Sequence, residues 1–308
     1  MGNQVWSPNS LGGYFGNNTL SDKVRVAAQT MQKFRQFTGK MESSGARKGE
    51  YVLFDKVTNV QTAGGTLVET STISKTNFII TQGSLQILEY GNAIPYTLKL
   101  QTLGQLSVSE QVQTALKNDM AKVLDSAAGV QYQASDYKAT ITNTATTTFG
   151  SAATAPASAG ANMSDKNVRD IVDRMMTLNI PKYDGENYVC IGSVNSIRGL
   201  YDFFETKAQQ TTMKPLMQGE VGTYYMTRFV RETNLLSNTL GSGSQYGEAC
   251  FFGEDAVKEG IALSEHLRVD SNDFGRDLGV AWLYMGGFQK IWDYTTDTET
   301  RIIHVTSL

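Results

Sequence analysis

The sequence predicts an α+β protein with few helices and many antiparallel strands. Three observations carry that expectation. One amphipathic run, Ser107 to Ala128, has the three- and four-residue spacing of a long helix. Short apolar runs bounded by turn residues recur on both sides of it, as strands do. A shorter helical stripe then alternates with strands after residue 163.

At the start of the chain, Ser21 or Asp22 can cap a short helix, and Val24, Ala27, Ala28, Met31 and Phe34 then share one face. Gly39 is its expected stop. A short helix without a partner nearby in sequence must dock on its own body or on another subunit. The same segment concentrates charge. Lys23, Arg25, Lys33, Arg35, Lys40, Arg47 and Lys48 stand against Asp22 and Glu42, a net of +5 over residues 1–48. The whole chain nets −3, which leaves −8 for the remainder. A basic arm on an acidic body suits neighbours of opposite charge, or is a solvated tail.

Residues 50–100 read as strands. Tyr51–Phe54 opens the stretch, Gly64 and Gly65 supply a turn, and Leu67–Thr70 continues it. Phe78–Ile80 and Leu85–Leu88 follow. The part from Val57 to Lys75 is rich in Thr, Ser and Gln and reads as a long hairpin leaving the body. Two isolated strands are marginal in water. The hairpin therefore lies on another chain or is a free surface loop.

Next comes the long helix. Ser107-Val-Ser-Glu110 has the pattern of a capping box, in which the serine and the glutamate each satisfy an amide of the other's residue. Val108, Val112, Ala115, Leu116, Met120, Val123, Leu124 and Ala127 form its apolar stripe, and Gly129 is the expected end. The predicted length is ~33 Å, enough for a structural spine.

Residues 139–163 are low-complexity Thr, Ala and Ser and read as a flexible loop or a ragged hairpin at a subdomain boundary. A regular section follows. Ser164 or Asp165 caps a helix carrying Val168, Ile171, Val172, Met175 and Leu178, which Pro181 stops. Tyr188–Ile191 is a buried strand. Ser193 begins a helix with Ile197, Leu200, Tyr201 and Phe204. Tyr224–Val230 and Ala249–Phe252 are strands, the second after the Gly241–Ser244 loop. Leu278–Tyr284, Phe288–Tyr294 and Arg301–Val305 close the chain as strands.

Composition excludes several functions. Apolar residues make up 40% of the 308 and charged residues 19%, a globular balance. The net charge of −3 and pI near 5.5 oppose tight nucleic-acid binding, which needs a dense Lys/Arg surface. No run of ~18 apolar residues predicts a transmembrane helix, and Met1–Gly16 lacks the basic-then-apolar pattern of a secretory signal. Cys190 and Cys250 alone make no disulfide framework and fit a reducing cytoplasm.

Chemistry is equally sparse. His266 and His304 have no metal-ligand spacing. Both cysteines sit inside apolar runs and read as small core residues. Gly241–Gly247 lacks the Lys and Ser/Thr of a phosphate loop. Asp270, Asp273 and Asp277 cluster with Arg268 and Arg276, which reads as a surface ion-pair patch and leaves a place at a subunit interface open. Glu248, Glu254, Asp255 and Glu259 read as solvated or capping. The sequence thus predicts no enzyme, no cofactor and no metal.

Several segments together resemble the major capsid proteins of tailed bacteriophages, and more closely the coat family of N-four-like podoviruses. Tyr188-Val-Cys-Ile191 followed by a helix is one. Gly219-Glu-Val-Gly-Thr-Tyr-Tyr225 leading into Arg228-Phe-Val-Arg-Glu232 is another. Phe252-Gly-Glu-Asp-Ala256 and Asp273-Phe-Gly-Arg-Asp277 before Val280-Ala-Trp282 complete the set. The resemblance spans nearly the whole chain. It implies the Hong Kong 97-type capsid fold, with an N-terminal arm (1–48), an extended β loop or E-loop and the start of a peripheral domain (49–100), and a spine helix (101–138). A flexible loop (139–163), a mostly axial part (164–270) and return strands of the peripheral domain (271–308) follow.

The resemblance further implies self-assembly as hexamers and pentamers into an icosahedral shell around double-stranded DNA. It implies a separate scaffolding protein, a portal protein at one vertex and a location in the virion after assembly in the host cytoplasm. A decoration protein is left open. Expected intersubunit contacts are Lys23, Arg25, Lys33, Arg35, Arg47, Lys48, Lys56, Glu69, Lys75, Asp273, Arg276 and Asp277. Some relatives crosslink an E-loop lysine; none is expected here. Two alternatives remain: an encapsulin-like compartment shell, and an α+β enzyme or binding domain with a pocket near Asp270–Asp277.

Overall fold

In the computed structural model, the described residues are 29–30, 32–41, 49–57, 65–70, 72–73, 75, 80–104, 107–151, 158–201, 220–241 and 243–306. Their strands form three sheets. The largest has seven strands: β5 (Tyr137–Asn143), β6 (Thr146–Ser151), β7 (Tyr188–Gly192), β8 (Glu220–Tyr224), β9 (Thr227–Arg231), β10 (Ala249–Phe252) and β13 (Ile302–Val305). Its order is β6-β5-β13-β10-β7-β9-β8. A four-stranded sheet has the order β1-β11-β12-β4, built from β1 (Gly39–Lys40), β4 (Leu88–Thr97), β11 (Val257–Asn272) and β12 (Asp277–Lys290). Finally, β2 (Tyr51–Val57) and β3 (Ile80–Gln86) form an antiparallel ribbon.

The seven-stranded sheet separates two cores. Side chains alternate across a strand, and here the alternation assigns each residue to a core. Tyr188, Cys190, Phe229, Ala249, Phe251 and Ile303 pack on helix α3 (Asp165–Thr177). Val189, Ile191, Val230, Cys250, Phe252 and Ile302 face the other way, in one cluster with the long helix α2 (Val108–Gln133). That second cluster continues into Val280, Trp282 and Tyr284 of β12. Helix α2 thus joins the two larger sheets. Asp119 fixes it to the smaller one by accepting from Trp282 Nε1 and Asn92 Nδ2, both at 2.9 Å.

Helix α3 forms as its sequence predicts. Ser164 Oγ accepts from Asn167 N at 3.3 Å, and Asn167 Oδ1 accepts from Ser164 N at 3.0 Å. The reciprocal cap starts the helix, and Val168, Ile171, Val172 and Met175 are buried.

Helix α2 differs from expectation at both ends. Ser107 makes no side-chain cap bond. A cap contributes only about 1 kcal/mol, less than burying Val108, Val112, Leu116 and Leu124. The helix also runs through Gly129 to Gln133. A Cβ at Gly129 would lie 2.7 Å from Phe34 Cδ2 and 2.5 Å from Leu235 Cδ2. The glycine is a seat for neighbouring side chains, not a terminator.

Other expectations also need correction. Residues 29, 30, 32 and 33 are not helical, and a 3₁₀ turn at Arg35–Phe37 follows; the rest of the expected arm helix lies outside the described residues. Leu67–Thr70 is not a strand. In 139–163 the hairpin reading holds and the loop reading does not: the segment contains most of the β5–β6 hairpin, with Ala139 and Ile141 buried. The run Tyr224–Val230 is a hairpin, because Tyr225 and Met226 both turn left-handed, with φ 45° and 56°. After Ser193 the described helix is α4 (Val194–Arg198); Phe204 lies outside the described residues. Leu278 to Lys290 is one strand, and helix α5 (Tyr294–Asp297) follows. Strand β11 was not anticipated, and it crosses the expected division at residue 270. Among the described residues, no helix is long and apolar enough to cross a membrane.

Candidate intersubunit surface

A chain that assembles must show apolar or charged side chains that its own fold leaves unused. The ribbon β2–β3 provides one set. Val52 and Leu85 pair across it and are buried, with Phe54 and Lys56 on the same inward face. The opposite face holds Tyr51, Leu53, Val57 and Ile80, all more than half exposed. Alternation that sends one set inward necessarily sends the other outward. Farther along, Leu67, Val68 and Ile73 are exposed too. Short strands with unused apolar side chains mark contact surfaces.

The β11–β12 hairpin provides the other set. Its inner half packs in the core, while β11 is exposed from Val269 to Asn272. The tip carries Asp273, Phe274 and Gly275, and Phe274 is fully exposed. Two clefts flank this end of the sheet. One is lined by Thr97, Leu98, Thr102 and Leu103, the other by Pro95, Val269 and Leu278.

The twelve expected contact residues divide into several groups. Lys23, Arg25, Arg47 and Lys48 lie outside the described residues. Glu69 and Lys75 are exposed. Asp273 and Arg276 pair with one another at 3.3 Å on the tip, and Asp277 lies at its base, opposite Asn272 and Thr97. These three do come together. Lys33 is half-buried where the arm meets α2.

Arg35 and Lys56 each make an ion pair within the chain. Arg35 donates from Nε (3.0 Å) and Nη2 (2.8 Å) to Glu259 Oε1, and reaches Glu265 at 3.2 Å. Its guanidinium lies 5.4 Å from the centre of the Tyr284 ring, and the Tyr284 hydroxyl donates to Glu259 at 2.8 Å. Lys56 donates to Asp297 at 2.6 Å beside the Trp292 ring. Glu259 and Glu248, read as solvated or capping, are in fact buried. The Glu248 carboxylate meets His304 Nε2 at 2.5 Å and also accepts from Gln133 Nε2 and Ser237 N. Burial pushes this carboxyl up, but those donors outweigh it and hold it below the usual carboxylate range.

Reasoning from sequence missed Phe274 and the outward stripe of the ribbon. Tyr51 and Leu53, two apart, with Val57 four further on, were the available signal, blurred by Val52 and Phe54 between them. No group of three or more potential metal ligands occurs among the described residues. Burial pushes both cysteine thiols well up, which keeps them protonated and inert at neutral pH.

No protein-family model and no curated protein matches the chain by sequence. Solved structures match it along nearly its full length. The capsid of Ralstonia phage GP4 aligns with TM-score 0.64 and 16% identity, covering 95% of each chain. A Mycobacterium phage Che8 structure gives 0.64 and 14%, over 94% of this chain and 96% of the other. The capsid of cyanophage P-SCSP1u gives 0.68 and 11%, over 98% and 95%. The chain therefore shares the fold of these phage structures. More particularly, it has the Hong Kong 97-type fold of tailed-phage capsids.

Proposed function

We propose that the chain is the major capsid protein of a tailed bacteriophage. It assembles as hexamers and pentamers into the icosahedral shell that encloses double-stranded DNA. The supporting observation is the full-length likeness to several phage capsids, in which each partner is covered almost end to end. The unused apolar face of the ribbon and the exposed hairpin tip agree with it. Many weak contacts made at once give strong net association, because later contacts are effectively intramolecular. An acidic body limits sticking to the enclosed DNA by like-charge repulsion. A scaffolding protein during assembly, a portal protein at one vertex and final residence in the virion belong to the same proposal.

The test is negative-stain electron microscopy with sedimentation velocity on the chain made in bacteria, alone and with its scaffolding protein. Regular shells, or rings of five and six, are expected. A monomer under both conditions overturns the proposal. Deleting residues 1–20 or 57–75 is expected to impair assembly and leave the monomer folded; normal shells from both deletions would remove these segments from the contact set.

A further inference from the structure

The β11–β12 hairpin ends in an unfavourable turn. Asp273, Phe274 and Gly275 follow one another at φ 49°, 56° and 86°. Left-handed backbone suits the glycine but disfavours the two residues that carry a Cβ. The same turn holds the Phe274 ring wholly in water, at 106% of its reference exposure. A buried phenyl ring would contribute favourably, and this one is buried by none of the described residues. Strained backbone that displays an apolar ring is a feature of contact sites.

A cleft lies next to it. Thr97 pairs with Asp277 in the β4–β12 ladder, and Leu98 N donates to Arg276 O at 2.8 Å. Helix α1 (Leu98–Leu103) therefore starts at the same end of the sheet as the tip. Its Leu98, Lys99, Thr102 and Leu103 line a cleft of about 710 Å³ with Thr97 and Arg276. Leu98 and Leu103 are 46% and 56% exposed, so the cleft has apolar walls that the described residues leave open.

We propose that Phe274 of one copy seats in the Leu98–Leu103 cleft of a second copy of this chain. The inference rests on the shell reading above and names one of its contacts. Charge complementarity favours a second copy as the occupant: Asp273 beside the ring is acidic and half exposed, although it also pairs with Arg276, and the cleft carries Lys99 and Arg276 against a single acid, Asp277. Seating the ring brings these opposite charges together. A knob and a hole on different patches make a heterologous contact, which either closes into a ring or runs on as a filament.

The test uses the full chain carrying either Phe274→Cys or Leu103→Cys, assembled as a mixture. Both native cysteines are fully buried, so they do not compete. Mild oxidation of the mixed shells is expected to give a disulfide-linked dimer that neither variant gives alone. Phe274→Gly is a second variant that relieves the backbone. Its unassembled form is expected to melt no lower than the wild type, while its shell yield falls at least tenfold. Mixed shells without the dimer, or Phe274→Gly shells at wild-type yield, overturn the inference and leave the shell reading intact. A wild-type chain that makes no shells, alone or with its scaffolding protein, overturns the shell reading itself.

Discussion

Lys56 and Asp297 are 241 residues apart, yet their charged groups meet at 2.6 Å, with side chains 11% and 2% exposed. Asp297 also accepts from Asp293 N at 3.0 Å, so one carboxylate holds both the ribbon and the start of α5. Removing one partner of a buried pair leaves a charge without compensation. Lys56→Met is expected to lower stability by about 2–3 kcal/mol in a urea titration. Hydrogen exchange should quicken in Thr81–Gln86 before it quickens in β7 or β10. Uniform quickening across all strands would mean the pair does not specifically hold the ribbon.

Arg35 joins the segment before β1 to β11. Its main-chain N–H donates to Asp125 of α2 at 3.0 Å, while its side chain serves Glu259 and Glu265. Lysine cannot reproduce the planar fork or its stacking on Tyr284. Both Arg35→Lys and Arg35→Ala are therefore expected to destabilise, the alanine by about 3 kcal/mol because Glu259 is left buried and unpaired. Limited proteolysis near residues 29–41 should quicken in both. Full rescue by lysine would show that charge alone matters.

At Gly129, alanine should help the helix by about 1 kcal/mol, but the seat for Phe34 and Leu235 is already filled. Overpacking costs about 1–3 kcal/mol, so Gly129→Ala is expected to be net destabilising and Gly129→Val more so. Combined with Phe34→Ala, Gly129→Ala should cost less than the two separate losses added together. A double-mutant cycle in urea measures this coupling, and strict additivity would contradict the seat.

Two buried carboxylates predict opposite responses to acid. Glu248 is held below its ordinary range by His304 and its other donors, against burial. Its stabilising contribution is present above the ordinary carboxylate range and is lost as pH falls through the folded value. Glu248→Gln should flatten the acid limb of the stability curve. Burial pushes Asp125 up, only partly offset by the Arg35 N–H. Its ionised form therefore weakens the fold at neutral pH, and the loss is relieved by acid. Asp125→Asn keeps an acceptor and should raise the melting temperature more at pH 8 than near pH 4. Equal gains at both would assign the effect to packing.

Much of the fold was legible where local signals agreed. Ser164, the stripe from Val168 to Met175, and Tyr188–Ile191 each carried cap, period or continuous apolar character. Strand β11 escaped because its outer half is exposed on both faces, so no alternation marks it. The β8–β9 turn escaped because Tyr225 and Met226 are unusual left-handed residues. Of the contact surface, Asp273, Arg276 and Asp277 were read as a cluster and do form one end of the sheet. The ion pairs that Arg35 and Lys56 make within the chain were not legible, because their acidic partners lie more than 200 residues away. A charge in a sequence does not disclose whether its own fold will use it.

The sheet with a packed layer on each face has a mechanical consequence. Bending a laminate shears both bonded layers at once, so it resists flexure more than a bare sheet does. The central part of the chain should thus behave as a stiff tile. In the proposed shell, changes of curvature from one copy to the next would then fall on parts outside it: the two-stranded ribbon and the far end of the long hairpin.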